Sequence, residues 1–72
     1  MKDKLEGRIR YFKGEFNANE KYDEWYIFEI KWRSEDEWGL EVAFPLVDDK
    51  LHYTALTQIR KWQQLGIPFH FA

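Results

Sequence analysis

Cysteine is absent from the 72 residues, and with it go disulfides, thiolate metal sites and cysteine nucleophiles. Serine occurs once, at Ser34, in an acidic turn with no nearby histidine to act as its base. The glycines Gly7, Gly14, Gly39 and Gly66 are isolated, so no glycine-rich phosphate loop is present. His52 and His70 lie far apart, and neither has a second histidine or cysteine at metal-ligand spacing. The acidic run Glu35-Asp36-Glu37 reads as a solvated turn rather than a cation site. No apolar run approaches the roughly 20 residues of a membrane span, and no signal-like segment follows Met1. Bases do not outnumber acids: the net charge is -2, which argues against broad electrostatic binding to nucleic acid or an anionic membrane and leaves open only a local patch. These absences predict a soluble, intracellular chain that is not an enzyme and needs no cofactor or metal.

What is present is aromatic. Phe, Trp and Tyr make up 19% of a chain short enough for one domain, residues 1–72, and one modest core. A domain of this size buries only about 60% of its unfolded surface, so bulky rings are an economical way to gather apolar area. The longest β-favouring stretch is Trp25 to Glu37, W-Y-I-F-E-I-K-W-R-S-E-D-E. Alternation puts Tyr26, Phe28, Ile30 and Trp32 on one face and Trp25, Ile27, Glu29, Lys31 and Arg33 on the other. Such a strand belongs in the middle of an antiparallel sheet with one face buried and the other largely wet.

Around it the chain reads in order. Leu5 to Phe12 is a first strand, Leu5, Ile9 and Tyr11 inward, with Gly7 marking a bulge or a close backbone approach. Lys13 to Asp23 is a connection long for a hairpin, either functional or mobile. Trp38 to Phe44 alternates again, Trp38, Leu40, Val42 and Phe44 inward, and Pro45 ends the ladder or holds an edge. Glu29 and Glu41 can face Arg8, Arg10, Lys31 or Arg33 across the open face. Asp48 or Asp49 can cap a helix whose apolar positions are Ala55, Leu56, Ile59, Trp62 and Leu65. Alternatively, Leu51 to Tyr53 form a short strand and Thr54 caps a shorter helix. Gly66 fits the position past the helix end, and Pro68 prevents resumption. The tail Ile67 to Phe71 is an extended arm or a fourth edge strand. The fold expected is α+β: a curled three-stranded antiparallel sheet, SH3-like or chromo-like, covered by one C-terminal helix.

Two features exceed a bland core. Arg8, Arg10, Phe12, Trp25, Ile27, Lys31 and Arg33 share the open sheet face, where bases could stack on aromatics and phosphates pair with arginines of a single-stranded nucleic acid. Ile59 and Trp62, with Phe69 and Phe71, are more apolar bulk than one thin layer needs, which suits self-association or a peptide groove. The block Phe28 to Glu37, with Lys31-Trp32-Arg33 and Asp36-Glu37, resembles the second strand and following turn of chromo shadow domains, and Leu40 and Val42 suit their third strand. That resemblance implies a nuclear, two-fold homodimer joined through the C-terminal helix, with a groove for an extended hydrophobic peptide. Ile59 and Trp62 would carry the dimer contact, and Phe69 and Phe71 would frame the groove. The expectation is a protein–protein interaction module taking a second copy, another protein or a hydrophobic peptide, and no membrane. Its alternatives are the single-strand nucleic-acid face or a small phage or bacterial regulator acting on a larger protein.

Overall fold

The computed structural model describes residues 4–72, the side chains of residues 48–52 excepted. Strands β1 (Leu5–Lys13), β2 (Glu24–Trp32) and β3 (Gly39–Pro45) precede helix α1 (Asp48–Leu65) and a short strand β4 (Phe69–Phe71). They form one open four-stranded sheet in the order β3-β2-β1-β4. The first three strands are the expected antiparallel meander, with Ile9 opposite Phe28 and Phe28 opposite Val42. The tail is the fourth strand. It runs parallel to β1, Gly7 opposite Phe69 and Ile9 opposite Phe71, which makes the sheet mixed. Pro45 closes an edge strand, where its missing N–H costs nothing in the ladder.

The helix lies on the face carrying Ile9 and Phe28. Those two, Ala55 and Trp62 form the buried core, and Tyr26, Val42, Phe44, Ile59, Ile67 and Phe69 pack against it. Trp62 is its centre, 1% exposed, with its ring 5.5 Å from that of Phe28 and 5.9 Å from that of Phe69. Burying such a side chain stabilises by about 2–3 kcal/mol. Gly7 sits under it: a Cβ there would lie 2.7 Å from Trp62 Cζ3. Of the two roles the sequence allowed Gly7, close approach is the one realised, since β1 pairs with β2 without a register break.

The helix starts at Asp48, one position before an Asp48 cap would allow, so the N-cap is Val47, which makes no side-chain cap bond. The aspartate side chains and His52 lie outside the described residues. The helical backbone over Leu51 to Tyr53 replaces the alternative short strand. At the other end Gly66 is left-handed (φ 74°, ψ 24°). Its N–H donates to Gln63 O and that of Ile67 to Trp62 O, while Ile67 joins the core that Trp62 anchors. This is the reciprocal pair of a Schellman turn with its apolar contact, and it aims the chain back along the sheet as β4.

Two inward assignments change face, and two more, Tyr11 at 48% exposure and Trp32, keep their face but stay at the surface. Between Phe28 and Glu29 the β2–β3 register shifts, so Glu29 faces Leu40 and Glu41 is the extra residue of a β-bulge. One added residue exchanges the two faces for everything beyond it. Leu40 and Trp38 therefore leave the helix side; Leu40 is 56% exposed, and Trp38 takes the Arg8 guanidinium at 4.4 Å from its ring centre. Trp32 keeps the expected face but lies at its margin, exposed, in a hollow with Leu5, Leu65 and Ile67.

The face expected to be wet is partly closed. Trp25 is 3% exposed because the connection between β1 and β2 folds over it, bringing the rings of Phe16 to 5.2 Å and Tyr22 to 6.3 Å. Phe12 supports Phe16 edge-on. The base of this connection is pinned by Gly14 N–H donating to Asp23 O at 2.7 Å, and its tip turns on an Asn17 side-chain oxygen that accepts from Asn19 N–H. Burial leaves the Trp25 indole N–H without an acceptor among the described residues, a cost that the stacked rings must exceed.

Candidate interaction site

The two sets of predicted site residues separate in three dimensions. Of the apolar set, Trp62 is core, and Ile59 and Phe69 are half-buried against it. Trp62 thus has no surface to offer a partner. Phe71 alone stands out, 69% exposed on the helix side of the last strand. Beside it runs an apolar groove of about 260 Å³, lined by Ile9, Tyr26, Phe28, Ala55, Leu56, Ile59 and Phe71. Helical spacing places Leu56 and Ile59 on one flank of α1, so one wall is helix, the floor is β1 and β2, and Phe71 forms the rim. Leu56, like Phe71, is exposed. Tyr11, on the same sheet face, donates its Oη–H to Glu24 Oε1 at 2.7 Å; that bond pushes the phenol above its ordinary range and keeps it a proton donor.

The groove adjoins an open sheet edge. Gly7 N–H donates to Pro68 O, and Ala72 N–H donates to Ile9 O. In a parallel ladder these bonds bracket His70 as the residue that turns both its amide and its carbonyl toward β1. Phe69 and Phe71 consequently direct theirs outward, away from the sheet.

The nucleic-acid set is brought to one face but is engaged within the protein. Glu29, 8% exposed, accepts from Arg10 Nε at 2.5 Å and from Arg8 Nε at 3.0 Å. Burial alone would push its carboxyl up; the two guanidiniums overrule that and hold it below the ordinary value. Lys31 donates to Glu35 O and lies 5.2 Å from the Trp38 ring centre, a second cation on the ring that Arg8 also meets. Trp38 thereby serves two cations of its own chain, with His70 edge-on to it. Trp25 is covered by Phe16 and Tyr22 and Phe12 is half-buried, so Arg33 is the member of the set left wholly at the surface.

A second hollow, about 360 Å³, opens at the β2–β3 end between Trp32 and Trp38 and mixes Lys31 with Glu35 and Glu37. Its charges are of both signs and its walls are shallow. Among the described residues no three metal-ligating side chains gather, and no helix is long and apolar enough to cross a membrane.

Protein-family models, curated proteins and solved structures give no match to this chain. The functional reading therefore rests on the groove, its rim and the strand edge beside it. Sequence reasoning reached Phe71 and Ile59 by apolar alternation and helical spacing. It missed Leu56 as an exposed wall; it allowed the tail as a fourth edge strand, and the parallel docking of β4 on β1, a tertiary choice, is what sets that edge beside the groove.

Proposed function

We propose that this chain is a non-enzymatic protein-interaction module that seats an apolar side chain or extended apolar segment of a partner protein in the groove between α1 and the sheet. One observation carries the reading: Phe71 projects into water at the rim of a groove already lined by apolar side chains, next to a strand edge with unpaired backbone groups. A large ring with no internal partner for most of its surface loses hydration cost when a second molecule covers it. Backbone groups at a strand edge add register to an otherwise non-directional contact. The chromo shadow resemblance agrees in kind, since it implies an extended hydrophobic peptide in a groove by the C-terminal element. The groove residues differ in part: Leu56 and Ile59 stand with Phe71 where the resemblance implied Phe69 with Phe71.

Selection from a displayed library of random peptides tests the proposal. Enriched ligands are expected to carry alternating apolar residues. They should lose at least about tenfold in affinity on Phe71→Asp, the equivalent of about 1.4 kcal/mol, and little on Leu40→Asp, which changes an exposed leucine on the other face. No enrichment, or enrichment indifferent to Phe71, would refute it.

A further inference from the structure

We infer that the open edge of β4 pairs with its own symmetry mate, giving a two-fold dimer with one continuous eight-stranded sheet. This rests on the groove reading and names its occupant as a second copy of the chain. The edge is self-complementary about a single point. Phe69 and Phe71 each turn an N–H and a C=O outward, and His70 between them turns both inward to β1. An antiparallel copy centred on His70 places Phe69 opposite Phe71 of its mate, and the reverse, each as a hydrogen-bonded pair. Four backbone bonds close with no group of the edge left over. A partner strand with another spacing gains none of this symmetry.

The same two-fold runs perpendicular to the sheet, so both helices fall on one side. Phe69 and Phe71 already share that side, with their rings 6.2 Å apart. In the dimer four such rings gather over the axis, and each exposed Phe71 packs beside Phe69 of the mate, which itself rests on Trp62. The two His70 side chains meet on the reverse face as a non-hydrogen-bonded pair, the closer kind. The net charge of -2 per copy opposes this approach only weakly at physiological salt.

The area sets the strength. Three paired residues with their two phenylalanine rings cover well under the roughly 800 Å² per partner of a stable complex. The dimer is therefore weak, with a Kd on the order of 100 µM, and concentration-dependent.

Sedimentation equilibrium from about 10 µM to about 1 mM, spanning that Kd, tests the inference on three forms of the chain made by chemical synthesis, each checked for native circular dichroism. The unmodified chain should pass from monomer to dimer. Backbone N-methylation at Phe71 keeps the ring and removes one outward N–H without touching the bonds to β1, and it should weaken association at least about tenfold. Phe71→Ala keeps the amide and removes the ring, and should weaken it similarly. A chain that stays monomeric at about 1 mM overturns the strand pairing and leaves the groove to the peptide selection. Association that falls with Phe71→Ala but survives N-methylation also overturns it, and identifies a side-chain contact through the groove instead. Association indifferent to both changes overturns the pairing and removes the groove as its cause.

Discussion

Replacing Gly7 with alanine isolates one methyl group at the tightest point of the core. The added carbon would stand 2.7 Å from Trp62 Cζ3 and 3.1 Å from both Cε3 and Cη2, whereas carbon atoms in contact settle at about 3.5–4.0 Å. Trp62 cannot swing clear, because its ring is packed between Phe28 and Phe69 and is 1% exposed. Overpacking of this kind costs about 1–3 kcal/mol. Against it, alanine in place of glycine recovers about 0.5–1 kcal/mol by restricting the unfolded chain. Mid-range values leave a net loss of about 1.25 kcal/mol, and a domain of this size loses about 4–8 °C of Tm per kcal/mol, so thermal unfolding should fall by roughly 5–10 °C. The cause is tested by a double-mutant cycle with Trp62→Phe, which withdraws the clashing ring. Gly7→Ala should cost at least about 0.5 kcal/mol less in that background. An unchanged or raised Tm, or a cycle that adds without coupling, would refute the reasoning that Gly7 exists to admit the indole.

Two further substitutions probe the rest of the frame. Glu29→Gln should cost about 1–2 kcal/mol at neutral pH, less than the 3–5 kcal/mol of a fully buried pair because Arg8 and Arg10 reach solvent. Since the folded carboxyl is held below its ordinary 4.5, the advantage of the native chain over the variant is complete above about that pH and is lost as the pH falls through the depressed value. Paired denaturant titrations across the acid range check this, and a gap that stays constant there would count against the arginine pairing. Gly66→Ala meets no atom within 4 Å, so its cost of about 1 kcal/mol comes from the left-handed backbone alone, and Gly66→Asn should lose about half as much by chemical denaturation.

Period-2 alternation was enough to read the meander of β1, β2 and β3, and helical spacing with Gly66 and Pro68 was enough to read α1 and its end. Both signals are local, and local signals survive into the fold when the tertiary packing agrees with them. The departures each have a non-local cause. Glu41 inserts itself as a bulge, and nothing in W-G-L-E-V-A-F distinguishes a strand with an extra residue from one without. Trp25 and Ile27 were placed on the correct face, but the burial of Trp25 depends on a polar connection that brings Phe16 and Tyr22 across it. At the candidate site Phe71 was legible as surplus. Trp62 was not legible as core, because one amphipathic stripe does not reveal which of its large residues points straight down and which stands at the flank.

The connection between β1 and β2 has a consequence for how the chain tolerates change. Surface loops ordinarily accept insertions and deletions, since little depends on their path. Here the segment roofs the Trp25 end of the sheet face that α1 does not reach. Shortening it would strip the shelter from an indole with an already unanswered N–H. Length variation should therefore be harsher in this unstructured-looking stretch than at the hairpin tip between β2 and β3, where the acidic residues lie in open water.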